Sequence, residues 1–251
     1  MNIDSLYDEI ARRKSKNADL RPYVDGNGRV DRCRKLVQIG WLPSSNDGWH
    51  LDVGGGTGQL TDVIGERFER SIVLDISSQQ LQIASAKGHL IVEQNVDVEG
   101  LPRGTEDGFA LITALDFIEH IIDPENFARE AFRVLRSDGA VYVNTPNILF
   151  WRHVQHLLTA RRFPHTSGDR EVFHGGHTAF FTYLDLVDIF TAAGFVECDR
   201  LDVASAVTLF GHDLDIVDPA PAGISARLGF TNTLGDVTDL SMSNIFFRAR
   251  R

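Results

Sequence analysis

The sequence has only two cysteines, Cys33 and Cys198, far apart in a chain of 251 residues. Two such thiols form no disulfide framework and no zinc-ligand spacing. Basic runs are also scarce. Arg12-Arg13-Lys14 and Arg161-Arg162 are short, and the net charge is −10. A protein that neutralises many phosphates carries a basic face, so these residues read as solvated surface and speak against a nucleic-acid partner. Long apolar runs are missing too. The most apolar stretch, Phe109 to Ile122, is interrupted by Asp116 and Glu119 and is too short and polar to span a membrane. Residues 1–20 mix both charges and lack the apolar core of a secretory signal. A reducing cytoplasm is the expected location. Internal repeats and low-complexity segments are absent.

What is present suits one large α/β domain spanning residues 1–251, with 43% hydrophobic and 24% charged residues. Short β-branched runs alternate with helical patterns. Strands are predicted at Trp49–Val53, Ser71–Asp75, His89–Gln94, Phe109–Ala114, Ala140–Asn144, from Phe195, and at Ser243–Ala249. Ser77 with Gln80 reads as a capping box, and Gly88 as that helix's end. Asp123-Pro124 opens a helix with Phe127, Ala131, Val134 and Leu135 on its buried face, Arg133 and Arg136 near its end, and Gly139 as its stop. Thr182 and Asp185 cap a helix running to Gly194. This alternation implies a mostly parallel sheet with helices on both faces. Residues 146–181 and 204–242 do not fit it and read as long insertions. Residues 1–30 read as a cover over the site or a frayed end.

The first strand runs into Asp52-Val53-Gly54-Gly55-Gly56-Thr57-Gly58. A glycine-rich turn between strand and helix lets backbone approach a ligand closely. A phosphate loop needs Lys and Ser/Thr after its last glycine, but Gln59 and Leu60 stand there. A dinucleotide fingerprint needs Gly-x-Gly-x-x-Gly. Its last position falls on Gln59 or Thr61, which weakens the nicotinamide-dependent oxidoreductase reading.

The pattern Asp52-x-Gly54-x-Gly56-x-Gly58 resembles the first motif of the class I S-adenosylmethionine-dependent methyltransferases. Asp75, at the end of the second strand and followed by Ile76, matches the family's acidic residue that accepts both ribose hydroxyls. Asn95-Val96-Asp97-Val98 is similar to its adenine-holding segment, with Asp97 accepting from the exocyclic amine and Val98 offering backbone. Leu115-Asp116-Phe117-Ile118-Glu119-His120 matches the segment that starts beside the methionine moiety. The resemblance runs from about Arg29 to Val203. It is closest to ubiquinone-type and other small-molecule O- or N-methyltransferases. It implies a Rossmann-like, doubly wound, seven-stranded sheet, parallel but for an antiparallel last strand. S-adenosylmethionine is the implied cofactor, and a small or carrier-bound molecule the acceptor. A methyltransferase-like module that binds the cofactor without turnover stays open.

If the acceptor is a hydroxyl, a base assists by removing its proton, and histidine suits that task. His120 and His177 are the candidates, with His174 behind them; packing or capping is the plainer role for each. Residues 146–181 also hold His153, His156 and His165 among aromatics such as Trp151 and Phe163, and read as an acceptor-binding wall. The pairs His153-x-x-His156 and His174-x-x-His177 bring no cysteine or clear carboxylate partner, so no metal is expected.

Overall fold

The computed structural model describes residues 27–42, 47–104, 106–161, 177–210, 216–221, 223–224, 228–230 and 233–251. Residues 1–26, most of the expected N-terminal cover, lie outside that set, as do His165 and His174.

The described residues open with helix α1 (Asn27–Gln38), which the sequence reading did not anticipate, then β1 (Trp49–Val53) and the glycine loop. A short α2 (Thr61–Ile64) runs into a 3-10 turn (Gly65–Arg67) before β2 (Arg70–Asp75), α3 (Ser78–Ala86) and β3 (Leu90–Glu93). Then come α4 (Val96–Glu99), β4 (Phe109–Leu115), a 3-10 turn at Ile118–His120, α5 (Pro124–Val134) and β5 (Leu135–Pro146). Helices α6 (Trp151–Ala160) and α7 (Tyr183–Ala193) precede β6 (Glu197–Arg200), α8 (Val203–Phe210), α9 (Leu234–Ser241) and β7 (Asn244–Arg250). No helix among the described residues is long and apolar enough to cross a membrane.

Seven strands form one sheet in the order β3-β2-β1-β4-β5-β7-β6. All neighbours pair parallel except β7, antiparallel to both β5 and β6. Alternation along the strands feeds two cores. Val141, Val143, Ile245 and Phe247 face one side with α5 and α7, around Phe127 and Phe190. Tyr142 and Phe246 face the other, with Leu36 of α1, Ile64 of α2 and Phe210 of α8. Each large apolar side chain so buried contributes about 1.5–3 kcal/mol. The order reverses direction between β1 and β4, so a crevice opens at their carboxyl ends, where ligands bind in such sheets.

The caps follow the expected chemistry. Asp123 accepts from the Asn126 N–H at 2.8 Å, with Pro124 at the first helical position. Thr182 and Asp185 form a capping box, and α7 ends at Gly194 with φ 110°. Two expectations fail locally. α5 stops at Val134, not Gly139: Leu135 is already extended (φ −72°, ψ 147°) and pairs with Phe109. Gly139 instead sits within β5 at a register shift, where a Cβ would stand 2.9 Å from the Phe109 carbonyl. Buried pairing of Leu135 beside β4 overrides its helical register. At α3, Ser77 Oγ accepts from the Gln80 N–H, but the Ser77 N–H donates to Asp75 Oδ1 at 2.8 Å. The Gln80 side chain reaches the glycine loop, its Oε1 2.5 Å from where a Gly56 Cβ would be.

Candidate active site

Asp52 is buried at 2% exposure in β1. Its Oδ2 accepts from Thr61 Oγ1 and its Oδ1 from Thr113 Oγ1, both at 2.9 Å. His50 Nε2 lies 2.8 Å from the same Thr113 oxygen. Thr113 has one proton and the carboxylate only accepts, so Nε2 is the donor and Nδ1 faces Ser71 Oγ at 3.2 Å. Full burial pushes the His50 imidazole down to about 3, which keeps it neutral. This network ties β1, β2 and β4 together beneath the loop and anchors α2 through Thr61.

The loop above it is forced to be glycine. Gly54 has φ 67°, and a Cβ there would sit 2.5 Å from the Phe117 ring. Gly56 has φ 55° and gives its N–H to Asp75 Oδ2 at 2.9 Å. Gly58 backs onto the His89 ring. Asp75 therefore holds one backbone N–H on each oxygen, Gly56 on one and Ser77 on the other. A carboxylate has about four acceptor positions, which suits Asp75 to a vicinal diol. Ile76 beside it is half-buried.

An open cleft of about 530 Å³ is lined by Arg32, Leu36, Asp52, Gly54, Leu115 and Asp116, among others. Asp116, one of two non-glycine residues with positive φ (51°) among those described, turns the chain at the end of β4. Arg32 brings a positive charge from α1, and its Nε is buried without a hydrogen-bond partner among the described residues. An orphaned buried donor opposite a glycine cradle fits a ligand with an anionic end. Sequence reading passed over Arg32 because a lone arginine in an unremarkable polar segment carries no motif.

Asp97 and Val98 lie on α4, apart from that lining. Asp97 accepts from the Ile122 N–H at 2.9 and 3.1 Å and from the Asp123 N–H at 3.2 Å, pinning the turn before α5. The Val98 N–H donates to the Asn95 carbonyl, and the side chain is 78% exposed. Val98 thus offers its carbonyl and apolar surface, its N–H being used locally.

His120 and His177 meet. Their ring centroids are 4.8 Å apart at 72°. Thr178 makes this contact: its N–H donates to the Glu119 carbonyl at 2.7 Å, and its Oγ1 to the Ile121 carbonyl at 2.6 Å. Glu119, only 2% exposed, joins the pair, with Oε1 4.0 Å from His177 Nε2 and Oε2 accepting from Thr145 Oγ1 at 2.9 Å. His153 is turned elsewhere, with Nδ1 2.9 Å from the Asn147 carbonyl. Burial pushes its imidazole below the usual range.

Comparison with known proteins agrees with this geometry. A family model described as methyltransferase domain matches residues 28–197, about two thirds of the chain. The chain belongs to that methyltransferase family. Among curated relatives, a ubiquinone biosynthesis O-methyltransferase of Idiomarina loihiensis is 28% identical over 133 residues, covering 49% of this chain and 55% of that one. Another of the same name, from Neisseria meningitidis, is 27% identical over 154 residues, covering 57% and 58%. The chain thus spans about half the length of the curated relatives it matches.

A solved structure from Thermotoga maritima, an S-adenosylmethionine-dependent methyltransferase and possible histamine N-methyltransferase, aligns at TM-score 0.55 and 17% identity. It covers 92% of this chain and 96% of its own. The [4+2]-cyclase SpnF aligns at TM-score 0.54 and 19% identity, over 88% of this chain and 81% of its own. Likeness at that identity gives the fold; chemistry is argued from the site. The family implies S-adenosylmethionine as cofactor, and the glycine cradle, Asp75 and Arg32 fit it.

Proposed function

We propose that this chain transfers a methyl group from S-adenosylmethionine to an oxygen of a small or carrier-bound molecule, with nitrogen as the second choice of acceptor atom. One observation carries the reading. The donor cleft and the histidine pair share a single stretch of backbone: Leu115 and Asp116 line the cleft, and Glu119 and His120 follow in the next turn.

In this reading, the backbone at Gly54, Gly56 and Gly58 gives the cofactor close approach, with Asp52 holding the loop from below. Asp75 takes the ribose hydroxyls, Arg32 the methionine carboxylate, and Leu115 flanks the methionine chain. Ile76, Asp97 and Val98 bound the adenine. When bound, the cofactor supplies a methyl group already activated by its sulfonium charge. The chain must then mainly orient the acceptor, a contribution of about 7–11 kcal/mol at best. His120 and His177 stand where an acceptor proton would be taken, and Glu119 orients them. Helix α6, in the described part of residues 146–181, belongs to the acceptor wall, and α8 extends the core beside α1.

The name shared by the curated relatives supports oxygen as the acceptor atom, and the net charge of −10 supports an acceptor other than nucleic acid. A cytoplasmic location belongs to the same proposal, resting on a chain with two thiols and no disulfide among the described residues. Calorimetry with S-adenosylmethionine and S-adenosylhomocysteine tests the reading. Binding of both, followed by label transfer to hydroxylated small molecules, is expected; binding of neither overturns it.

A further inference from the structure

We infer that Lys87 is a positioning residue for cofactor binding: with Asp62 and His89 it clamps the glycine loop to the corner between α3 and β3. The inference rests on the methyltransferase reading. Lys87 Nζ donates to the Thr57 carbonyl at 2.9 Å and to Asp62 Oδ2 at 2.7 Å. Asp62 Oδ1 lies 2.6 Å from His89 Nε2. A carboxylate only accepts, so that nitrogen carries the hydrogen. The His89 ring backs onto Gly58, with its Cδ2 2.6 Å from where a Cβ would stand.

Two segments bring these groups together. Lys87 caps the C-terminal end of α3, and Gly88, with φ 92°, turns the chain so that His89 enters β3 beside the loop. Asp62 lies in the first turn of α2, and its N–H donates to the Gly58 carbonyl at 2.9 Å. The Gly58 N–H donates to the Gly55 carbonyl, also at 2.9 Å. The Thr57–Gly58 peptide unit is therefore bonded at both ends, its oxygen to Lys87 and its N–H to Gly55. Sequence spacing could not show this, because Lys87 stands 30 positions from Thr57 at an ordinary polar helix end.

Glycine loses more backbone freedom on ordering than any other residue, and Gly54, Gly55, Gly56 and Gly58 make up most of this loop. Where a ligand must order such a segment, the cost is subtracted from binding. A lysine that fixes the loop beforehand removes that cost, so Lys87 strengthens cofactor binding through the loop backbone. Its contribution to folding is small. Lys87 and Asp62 are 36% and 38% exposed, and ion pairs at such exposure add little to stability. Affinity and stability should therefore separate at this residue.

The test uses the full chain. Calorimetry reads S-adenosylhomocysteine affinity, thermal unfolding reads stability, and amide hydrogen exchange of residues 54–62 is followed with and without that ligand. Lys87→Met should weaken binding about three- to tenfold, with a Tm within about 2 °C of the parent. Its loop amides should exchange about three- to tenfold faster without ligand, and at the parent's rate when saturated. Lys87→Arg keeps a cationic donor for Thr57 and Asp62 and should hold affinity within about twofold of the parent. Arg129→Met removes the same charge from the exposed surface of α5 and should change neither affinity nor loop exchange. A folded Lys87→Met protein with parental affinity or parental loop exchange overturns the clamp, and so does an arginine variant as weak as the methionine one. A parent that binds no S-adenosylhomocysteine overturns the methyltransferase reading instead, and loop exchange without ligand still decides the clamp.

Discussion

Replacing Asp75 by alanine removes acceptors from three directions at once. The Gly56 and Ser77 N–H groups lose their partners at 2.9 and 2.8 Å, and the ribose hydroxyls lose theirs. The first two losses act on the folded chain. A buried N–H left unsatisfied costs about 1–3 kcal/mol. At 9% exposure water can partly replace the carboxylate here. A total of about 1–3 kcal/mol follows for the pair, or roughly 2–10 °C in Tm for a chain of this size. The third loss acts on binding. A hydrogen bond to a charged acceptor contributes about 1.5–3 kcal/mol. Two bonds at the lower figure amount to about 3 kcal/mol, roughly a hundredfold in Kd.

These effects separate in the assay. Calorimetry with S-adenosylhomocysteine, run well below the variant's Tm, reads affinity, and thermal unfolding without ligand reads stability. Asp75→Asn serves as the shape control. Its amide nitrogen presents hydrogens where the carboxylate presents lone pairs, so affinity should still fall although packing is kept. A folded Asp75→Ala protein that binds S-adenosylhomocysteine within threefold of the parent would refute the ribose assignment.

Arg32→Ala should weaken S-adenosylhomocysteine binding about 10- to 100-fold yet leave binding of methylthioadenosine, which lacks the carboxylate, unchanged; equal losses for both would place Arg32 elsewhere. Gly54→Ala should destabilise the chain by about 1–3 kcal/mol, because φ 67° and the Phe117 ring both oppose a Cβ, and a Tm unchanged within 1 °C would contradict it. The His50 imidazole is held down to about 3 in the fold against 6.5 unfolded, so below pH 6.5 only the unfolded chain takes its proton. Stability should then fall as pH drops from 6.5 toward 3, by about 1.4 kcal/mol per unit from this group. Urea unfolding at pH 6.5 and 4.5 should show a drop smaller by roughly 2–3 kcal/mol in His50→Gln than in the parent, and identical slopes would remove His50 as the cause.

The sheet was legible because its signals are local. Trp49 to Val53 is a strand by residue type, Gly54 follows because no side chain fits beside Phe117, and the Asp123-Pro124 and Thr182…Asp185 caps name their own helices. What escaped depends on partners elsewhere. Leu135 reads as helical by period, but its pairing with Phe109 makes it strand. α1 escaped because its buried residues, Cys33, Leu36 and Val37, gain meaning only against Ile64 and Phe210 of distant elements. At the site, Asp75 was visible from its place at a strand end. Its bonds to Gly56 and Ser77 were not, and neither was the engagement of Asp97 with the turn before α5.

The same distinction bears on how the two halves of the site vary. Donor-side groups ride on strand ends tied together by a closed network, Thr61–Asp52–Thr113–His50–Ser71, in which each hydroxyl and ring nitrogen has a neighbour. Moving any member strands a buried polar group, so this half tolerates little change. The acceptor side is assembled differently. Glu119 and His120 come from the turn after β4, and His177 arrives through backbone bonds from Thr178, which constrain main chain more than side-chain identity. Residues next to Thr178 can be exchanged without disturbing Asp52 or Asp75. Changes at His120 and His177 should therefore alter acceptor chemistry while cofactor affinity holds. A loss of S-adenosylhomocysteine affinity in folded His177→Ala as large as in Asp75→Ala would mean that the two halves are one unit.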